Sequence, residues 1–284
     1  MISDVEILYG LANRCQEYGI KKNISSSINI PLTSILEICD GVDGAEKYGW
    51  DLQDLQILKD RAEKNTFTKI EIGKIDEKKV LEIIEKHSDE NGRSYLKGIY
   101  IHDKINAELI DHYKFISSII KDKLQIKIGF SIYNQEELEF LLENNLSFEL
   151  LQIPYNSNVR IDFNLLKKLK CDIYIRSIFL QGIYFIDLKD KFDEEIRKKI
   201  ILQKRILLDD AKSHGLSLGQ YLFSKSLSFC IDNSFKGIIF GSSSFERVNS
   251  YIQNHIYLEN NRNYDYKIFD TISDYLADPR KWKI

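Results

Sequence analysis

Short apolar runs alternate along this chain with stretches whose apolar residues recur every third or fourth position. The runs read as strands: Val5 to Tyr9, Ile35 to Cys39, Phe67 to Ile72, Gly98 to Ile101, Ile126 to Ser131, Leu150 to Ile153, Ile173 to Ser177 and Gly237 to Phe240. Helical spacing covers Asp51 to Lys64, Asp76 to His87, Asn106 to Ile120, Gln135 to Glu143 behind an Asn134 cap, and a short piece around Leu165 to Leu169. It returns at about Asp193 to His214, about Ser217 to Asp232, and Ser244 to Asn254. The strands recur at steps of about 23 to 33 residues, with one long step before the last, as parallel βαβ units require.

Eight such units predict a closed (β/α)8 TIM barrel. The competing architecture is a doubly wound open sheet, which normally carries a glycine-rich phosphate loop after its first strand. Gly10-Leu11-Ala12-Asn13 does not supply one. The expected organisation is therefore one barrel domain over residues 1–284, with the aromatic and charged segment 257–284 as a docked C-terminal tail. The stretch from Gly10 to Ile30 is rich in Asn and Ser, so a shortened or irregular first βα unit is expected.

Composition narrows the possible partners. Of the 284 residues, 43% are hydrophobic and 29% charged, which suits a soluble globular chain with a sizeable core. The net charge of −3, without a basic stripe, predicts no nucleic-acid partner. Lys167-Lys168 and Lys198-Lys199 read as solvated helix faces. Cys15, Cys39, Cys171 and Cys230 are far apart and form no metal-binding spacing, so no metal site is expected and buried thiols are. No basic segment leads into an apolar run at the N-terminus, and no apolar stretch reaches the ~18 residues of a membrane span. These readings predict a cytoplasmic protein without a membrane partner; they leave the oligomeric state open.

Candidate chemistry gathers where strands end. Asp43 and Tyr48 follow the second run, Lys69 lies in the third, and His102 follows the fourth. In a barrel these neighbouring strand ends open on one mouth. Such a set suits proton transfer at a carbonyl oxygen. A tyrosine, with a reference pKa of about 10, needs a nearby ammonium to act near neutrality. A carboxylate keeps the ammonium charged and oriented, and a histidine holds the carbonyl. Nothing in the set donates a hydride, so a reduction would need a nicotinamide cofactor. Each residue also has a plainer reading: a chance Asp–Tyr spacing, an outward-facing strand lysine, a capping histidine. Trp50 suits either a pocket wall or packing against the next helix. His87, His112, His214 and His255 read as surface residues.

Read as motifs, D-G-A-E-K-Y-G at Asp43 to Gly49, T-K-I at Thr68 to Ile70 and I-Y-I-H-D at Ile99 to Asp103 resemble elements of the aldo/keto reductase superfamily. The resemblance continues in I-G-F-S-I-Y at Ile128 to Tyr133, L-Q-I-P-Y-N at Leu151 to Asn156 and I-I-F-G-S-S-S-F-E-R at Ile238 to Arg247. I-R-S-I-F-L-Q-G at Ile175 to Gly182 and the closing D-P-R-K-W resemble a bacterial subgroup.

The resemblance implies a catalytic tetrad of Asp43, Tyr48, Lys69 and His102. It implies Ser131 and Gln152 at the nicotinamide carboxamide, Arg176 and Ser177 beside the cofactor, and Gly241, Ser242 and Arg247 at the adenosine phosphate. The implied cofactor is NADPH, with NADH also possible, and the implied partner is a small-molecule carbonyl substrate: an aldehyde, ketone or keto-sugar. Two departures stand out. Arg176 occupies the place of a tyrosine that often stacks on the nicotinamide. Gly241 occupies the place of a lysine that many NADPH-specific members use. A barrel that binds a cofactor or partner without turnover, and a lyase or isomerase without nicotinamide, are the competing readings.

Overall fold

A computed structural model describes residues 4–12, 30–48, 50–74, 76–124, 126–159, 161–188, 192–258, 276, 278, 281 and 282. Eight parallel strands follow one another round a closed barrel: β1 Glu6–Gly10, β2 Gly41–Asp43, β3 Asn65–Ile70, β4 Leu96–Ile101, β5 Lys127–Ser131, β6 Leu150–Pro154, β7 Asp172–Arg176 and β8 Gly237–Phe240. Pairing of β1 with β8, Ile7 opposite Ile238, closes the ring. The fold is the expected (β/α)8 barrel.

The helices are α1 Leu32–Ile38, α2 Leu52–Asp60, α3 Glu77–Lys86, α4 Ala107–Leu124, α5 Gln135–Glu143, α6 Phe163–Leu166, α7 Glu194–Ser213, α8 Leu218–Asn233 and α9 Phe245–Gln253. Short polar residues start many of them. The side chains of Asp51, Asp76, Asn134, Asp162, Asp193, Ser217 and Ser244 each accept a backbone N–H of the helix they precede. These bonds satisfy donors that a helix start leaves without an internal partner.

Strand residues bury both faces. Outward side chains such as Ile7, Val42, Ile70, Ile99, Ile128 and Ile173 join the main core with the helices. Inward side chains Leu8, Phe67, Tyr100, Leu150, Tyr174 and Ile239 form a separate cluster filling the barrel. A third cluster joins the segment after β7 to α7 and α8.

The second strand corrects the sequence reading. Ile35 to Cys39 is not strand but lies in and just after α1. The buried residues are Leu32, Ile35 and Leu36, an i, i+3, i+4 set, and Pro31 stands immediately before the first helical position. The strand is the three-residue Gly41–Asp43. It offers one large apolar side chain, too little for a hydrophobic pattern to reveal. Gly41 is required there: a Cβ would lie 1.8 Å from the Asn65 carbonyl oxygen on β3.

The irregular stretch expected after Gly10 falls mainly at residues 13–29, outside the described residues, as do Cys15 and Gly49. Most of the expected tail 257–284 does too. Within it, Leu258, Leu276 and Trp282 are buried in the third cluster, with Trp282 edge-on to Phe192 at 5.8 Å. No described helix is long and apolar enough to cross a membrane.

Candidate active site

Strand alternation places the site. Side chains two apart on a strand share a face. The barrel-filling layer of Leu8, Phe67, Tyr100, Leu150, Tyr174 and Ile239 therefore has a second storey two residues further on: Gly10, Lys69, His102, Gln152, Arg176 and Gly241. Five of the sequence-predicted site residues belong to this storey, at the C-terminal mouth. Asp43 and Ser131, the last residues of β2 and β5, complete it.

A buried ion pair lies at its centre. Lys69 Nζ donates to Asp43 Oδ2, and both side chains are almost wholly withdrawn from solvent. Asp43 Oδ1 accepts from Gln152 Nε2 at 2.7 Å. Gln152 Oε1 in turn accepts from Ser131 Oγ at 3.4 Å, and Ser131 Oγ accepts from Arg176 Nε at 3.1 Å. The remaining Arg176 nitrogens donate to Ser177 Oγ at 3.0 Å and to the Ile132 carbonyl at 2.8 Å. One hydrogen-bonded chain thus runs from Lys69 through Asp43, Gln152 and Ser131 to Arg176. Burial lowers the Lys69 pKa. Asp43 opposes that shift, whereas the charges of Arg176 and Lys47 add to it. Beneath the pair, burial pushes the Tyr100 hydroxyl well up, and only a contact from Gln152 works against that shift.

His102 begins just past β4, where its backbone N–H donates to the Ile70 carbonyl at 2.9 Å. Lys47 Nζ lies 3.4 Å from its Nδ1, and the Tyr133 hydroxyl 3.1 Å from its Nε2. An ammonium only donates, so this geometry makes Nδ1 the acceptor and leaves the N–H on Nε2. The Tyr133 ring also lies under the Arg176 guanidinium, 4.3 Å from its centroid. Tyr133, which sequence reasoning recorded only as part of a motif, therefore links the histidine to the arginine.

Tyr48 closes a three-residue 3-10 turn, Glu46–Tyr48, directly after β2. That turn is anchored by residues the sequence did not single out. Glu46 Oε1 accepts from Thr68 Oγ1 at 3.0 Å and pairs with His87 Nε2 at 2.8 Å; Glu46 Oε2 accepts from Lys86 Nζ at 3.0 Å. Burial alone would raise the Glu46 pKa. Its bonds to His87 and Lys86 outweigh that and bring it down to about 2. The surface reading of His87 is overturned: it is 0% exposed, with Nδ1 3.1 Å from the Tyr95 hydroxyl. His112 and His214 are exposed and His255 is half-buried. Trp50 packs edge-on to His87 at 4.9 Å, at the end of α3.

The last part of the mouth lies after β8. The Tyr9 hydroxyl donates to the Ser242 carbonyl at 2.7 Å, tying this loop to β1. Ser244 caps α9 by accepting the Arg247 N–H, while the Arg247 side chain is exposed one turn into the helix. After β7, Ser177, Leu180, Gln181 and Gly182 all have positive φ. Three of these are not glycine, and left-handed backbone is costly for them. A buried network sits beside this segment: the Tyr184 hydroxyl donates to Gln203 Oε1 at 3.1 Å, and Gln203 Nε2 donates to Asn158 Oδ1 at 2.8 Å.

No protein-family model and no curated protein matches the chain in sequence. Solved structures do match. An aldo-keto reductase, MGS-M4, from a Medee basin deep-sea metagenome library is 19% identical, with a TM-score of 0.57, covering 98% of this chain and 92% of its own. The glycerol dehydrogenase AKR11B4 of Gluconobacter oxydans is 13% identical, with a TM-score of 0.65 and 98% of each chain covered. The holo form of an aldo-keto reductase from Bacillus halodurans, AKR11C1, is 14% identical, with a TM-score of 0.64, covering 96% of this chain and 92% of its own. At these identities the likeness carries the fold.

Proposed function

We propose that this chain is an aldo/keto reductase-type oxidoreductase that reduces a small carbonyl compound with NADPH, or with NADH. The observation that carries the reading is the buried Lys69–Asp43 pair, joined through Gln152 and Ser131 to Arg176 at the mouth of the barrel. A structural layer would not need a desolvated lysine beside the turn that holds Tyr48. The fold neighbours point the same way, and one of them, a variant of Gox0644, was solved in complex with NADPH.

The residues present fit a dinucleotide at two places. Gln152 donates one N–H to Asp43 and accepts once from Ser131, and its amide offers further donor and acceptor capacity that a carboxamide would meet. The N-terminus of α9, with Gly241 and Ser242 before it and the exposed Arg247 within it, offers the positive end of a helix and a cation to a phosphate. The guanidinium of Arg176, held by three hydrogen bonds and by the Tyr133 ring, is a fixed plane beside which a nicotinamide would lie. The nicotinamide, when bound, supplies the hydride that no side chain here can donate.

The protein's own part is proton transfer. Tyr48 gives its phenolic proton to the carbonyl oxygen as that oxygen becomes a hydroxyl, and recovers a proton from solvent. The Lys69 ammonium stabilises the phenolate left behind, and Asp43 keeps that ammonium charged in a buried place. His102 Nε2, which meets the Tyr133 hydroxyl in the structure, would exchange that contact for the same substrate oxygen and orient it. The test is nicotinamide absorbance followed with a panel of aldehydes, ketones and keto-sugars. Tyr48→Phe is expected to lower kcat by about 100-fold or more and to leave cofactor affinity nearly intact. Cofactor binding without turnover across the whole panel would favour the non-catalytic barrel instead.

A further inference from the structure

One buried histidine, His87, meets two residues that flank Tyr48 in sequence, Glu46 and Trp50. Glu46 pairs with His87 Nε2 at 2.8 Å. Trp50 sets its ring edge-on to the same imidazole at 4.9 Å. The indole also covers Gly44 so closely that a Cβ there would lie 2.3 Å from it. His87 has no freedom of its own. It caps the C-terminus of α3, it is fully buried, and its other nitrogen meets Tyr95.

The same carboxylate reaches the strand of the catalytic lysine. Glu46 Oε1 accepts from Thr68, the residue before Lys69, and Glu46 Oε2 accepts from Lys86. Glu46 lies two residues before Tyr48 in one short turn. This grip therefore sets the turn of the proton donor against the strand of the residue that tunes it.

We propose that Glu46 and His87 are positioning residues for the reaction: together they clamp the Glu46–Tyr48 turn to β3 and α3 and so fix the separation of Tyr48 from Lys69. The inference rests on the reductase reading, in which that separation sets both the Tyr48 pKa and its alignment with substrate. Proton transfer and orientation are steep in distance, and a displacement of about 1 Å costs on the order of 100-fold in rate.

The experiment is steady-state kinetics over pH in the alcohol-oxidising direction, for Glu46→Ala, Glu46→Gln and His87→Gln beside Tyr48→Phe. The clamp variants should lose about 10- to 100-fold in kcat while the NADPH Kd stays within about twofold. The apparent pKa of Tyr48 should rise toward the free tyrosine value of about 10 as Lys69 ceases to stabilise its phenolate. Glu46→Gln keeps one carbonyl acceptor for Thr68, gives up the acceptor for Lys86, and should recover part of both effects.

Wild-type kcat and pH profile in the clamp variants, with Tyr48→Phe inactive, would overturn the clamp and leave the reductase reading standing. Turnover in Tyr48→Phe would overturn the reading itself. A fall in kcat with an unmoved pKa would reduce the clamp to a folding role and equally overturn the proposal. If Glu46→Ala does not fold, Thr68→Val removes the link to β3 at nearly constant shape. It should move the pKa in the same direction, and no movement there overturns the clamp.

Discussion

Lys69 shows how one buried charge commits its neighbours. Its Nζ is nearly without solvent; burial lowers its pKa, and Asp43 stands against that shift. Removing one partner of such a pair leaves the other as an uncompensated charge, at a cost of about 3–5 kcal/mol. Asp43→Ala should therefore lower the thermal midpoint by several degrees and take the Lys69 pKa still further down. Adding Lys69→Met to that variant should restore much of the stability and none of the activity, as read by thermal denaturation and nicotinamide turnover. Of the residues predicted from sequence, Asp43, Lys69, Gln152, Ser131 and Arg176 join one hydrogen-bonded chain, and His102 meets it through Tyr133. Asp43, Lys69 and His102 were legible from their places in or just after apolar runs, and Ser131, Gln152 and Arg176 from the motif resemblance. His87 was not. It ends a helix whose last turn is charged, and nothing in that pattern says that Trp50 and Glu46 will cover it.

Elements differ in how plainly their sequences announce them. The five residues of β6 are all buried, and four of them, Leu150 to Ile153, read as strand at once. α5 has its Asn134 cap and its acidic first turn, and its bounds match the sequence reading. β2 is three residues long and takes its place from what its neighbours leave it. Gly41 allows β3 to approach, and Gly129 on β5 does the same for β6, where a Cβ would lie 1.7 Å from the Leu150 carbonyl oxygen. Neither contact is with a side chain that can turn away. Gly41→Ala should therefore push β2 off β3 and cost about 3 kcal/mol, measured as a lower urea midpoint. Activity should fall in step, because Asp43 is two residues away on the same strand. Gly215→Ala has open space and only a positive φ to contend with, so it should cost about 1 kcal/mol with turnover unchanged.

Across the whole molecule, the site links distant parts of the chain, and its stability answers to pH through Glu46. A carboxyl whose folded pKa is about 2 against an ordinary 4.5 stabilises the fold above pH 4.5 and loses that contribution as pH falls toward 2. The contribution is at most about 3 kcal/mol. Over that window the wild-type melting temperature should fall more steeply than that of Glu46→Gln, and the two curves should converge near pH 2. Parallel curves would show that Glu46 is not held as the structure has it.

By itself the sequence determined the barrel and most of its polar mouth. Eight βα units leave few ways to bury both faces of short parallel strands, and strand period two puts a residue following the barrel-filling layer at the rim. Only the tertiary structure decided what surrounds that rim. Which helix end is buried, which hydroxyl meets His102, and which carboxylate grips the Tyr48 turn all depend on contacts between residues 22 to 45 positions apart or more. Local pattern carries burial and direction. It does not carry which partner a polar group finds once the chain has closed, because that choice is made by the packing of whole elements against one another.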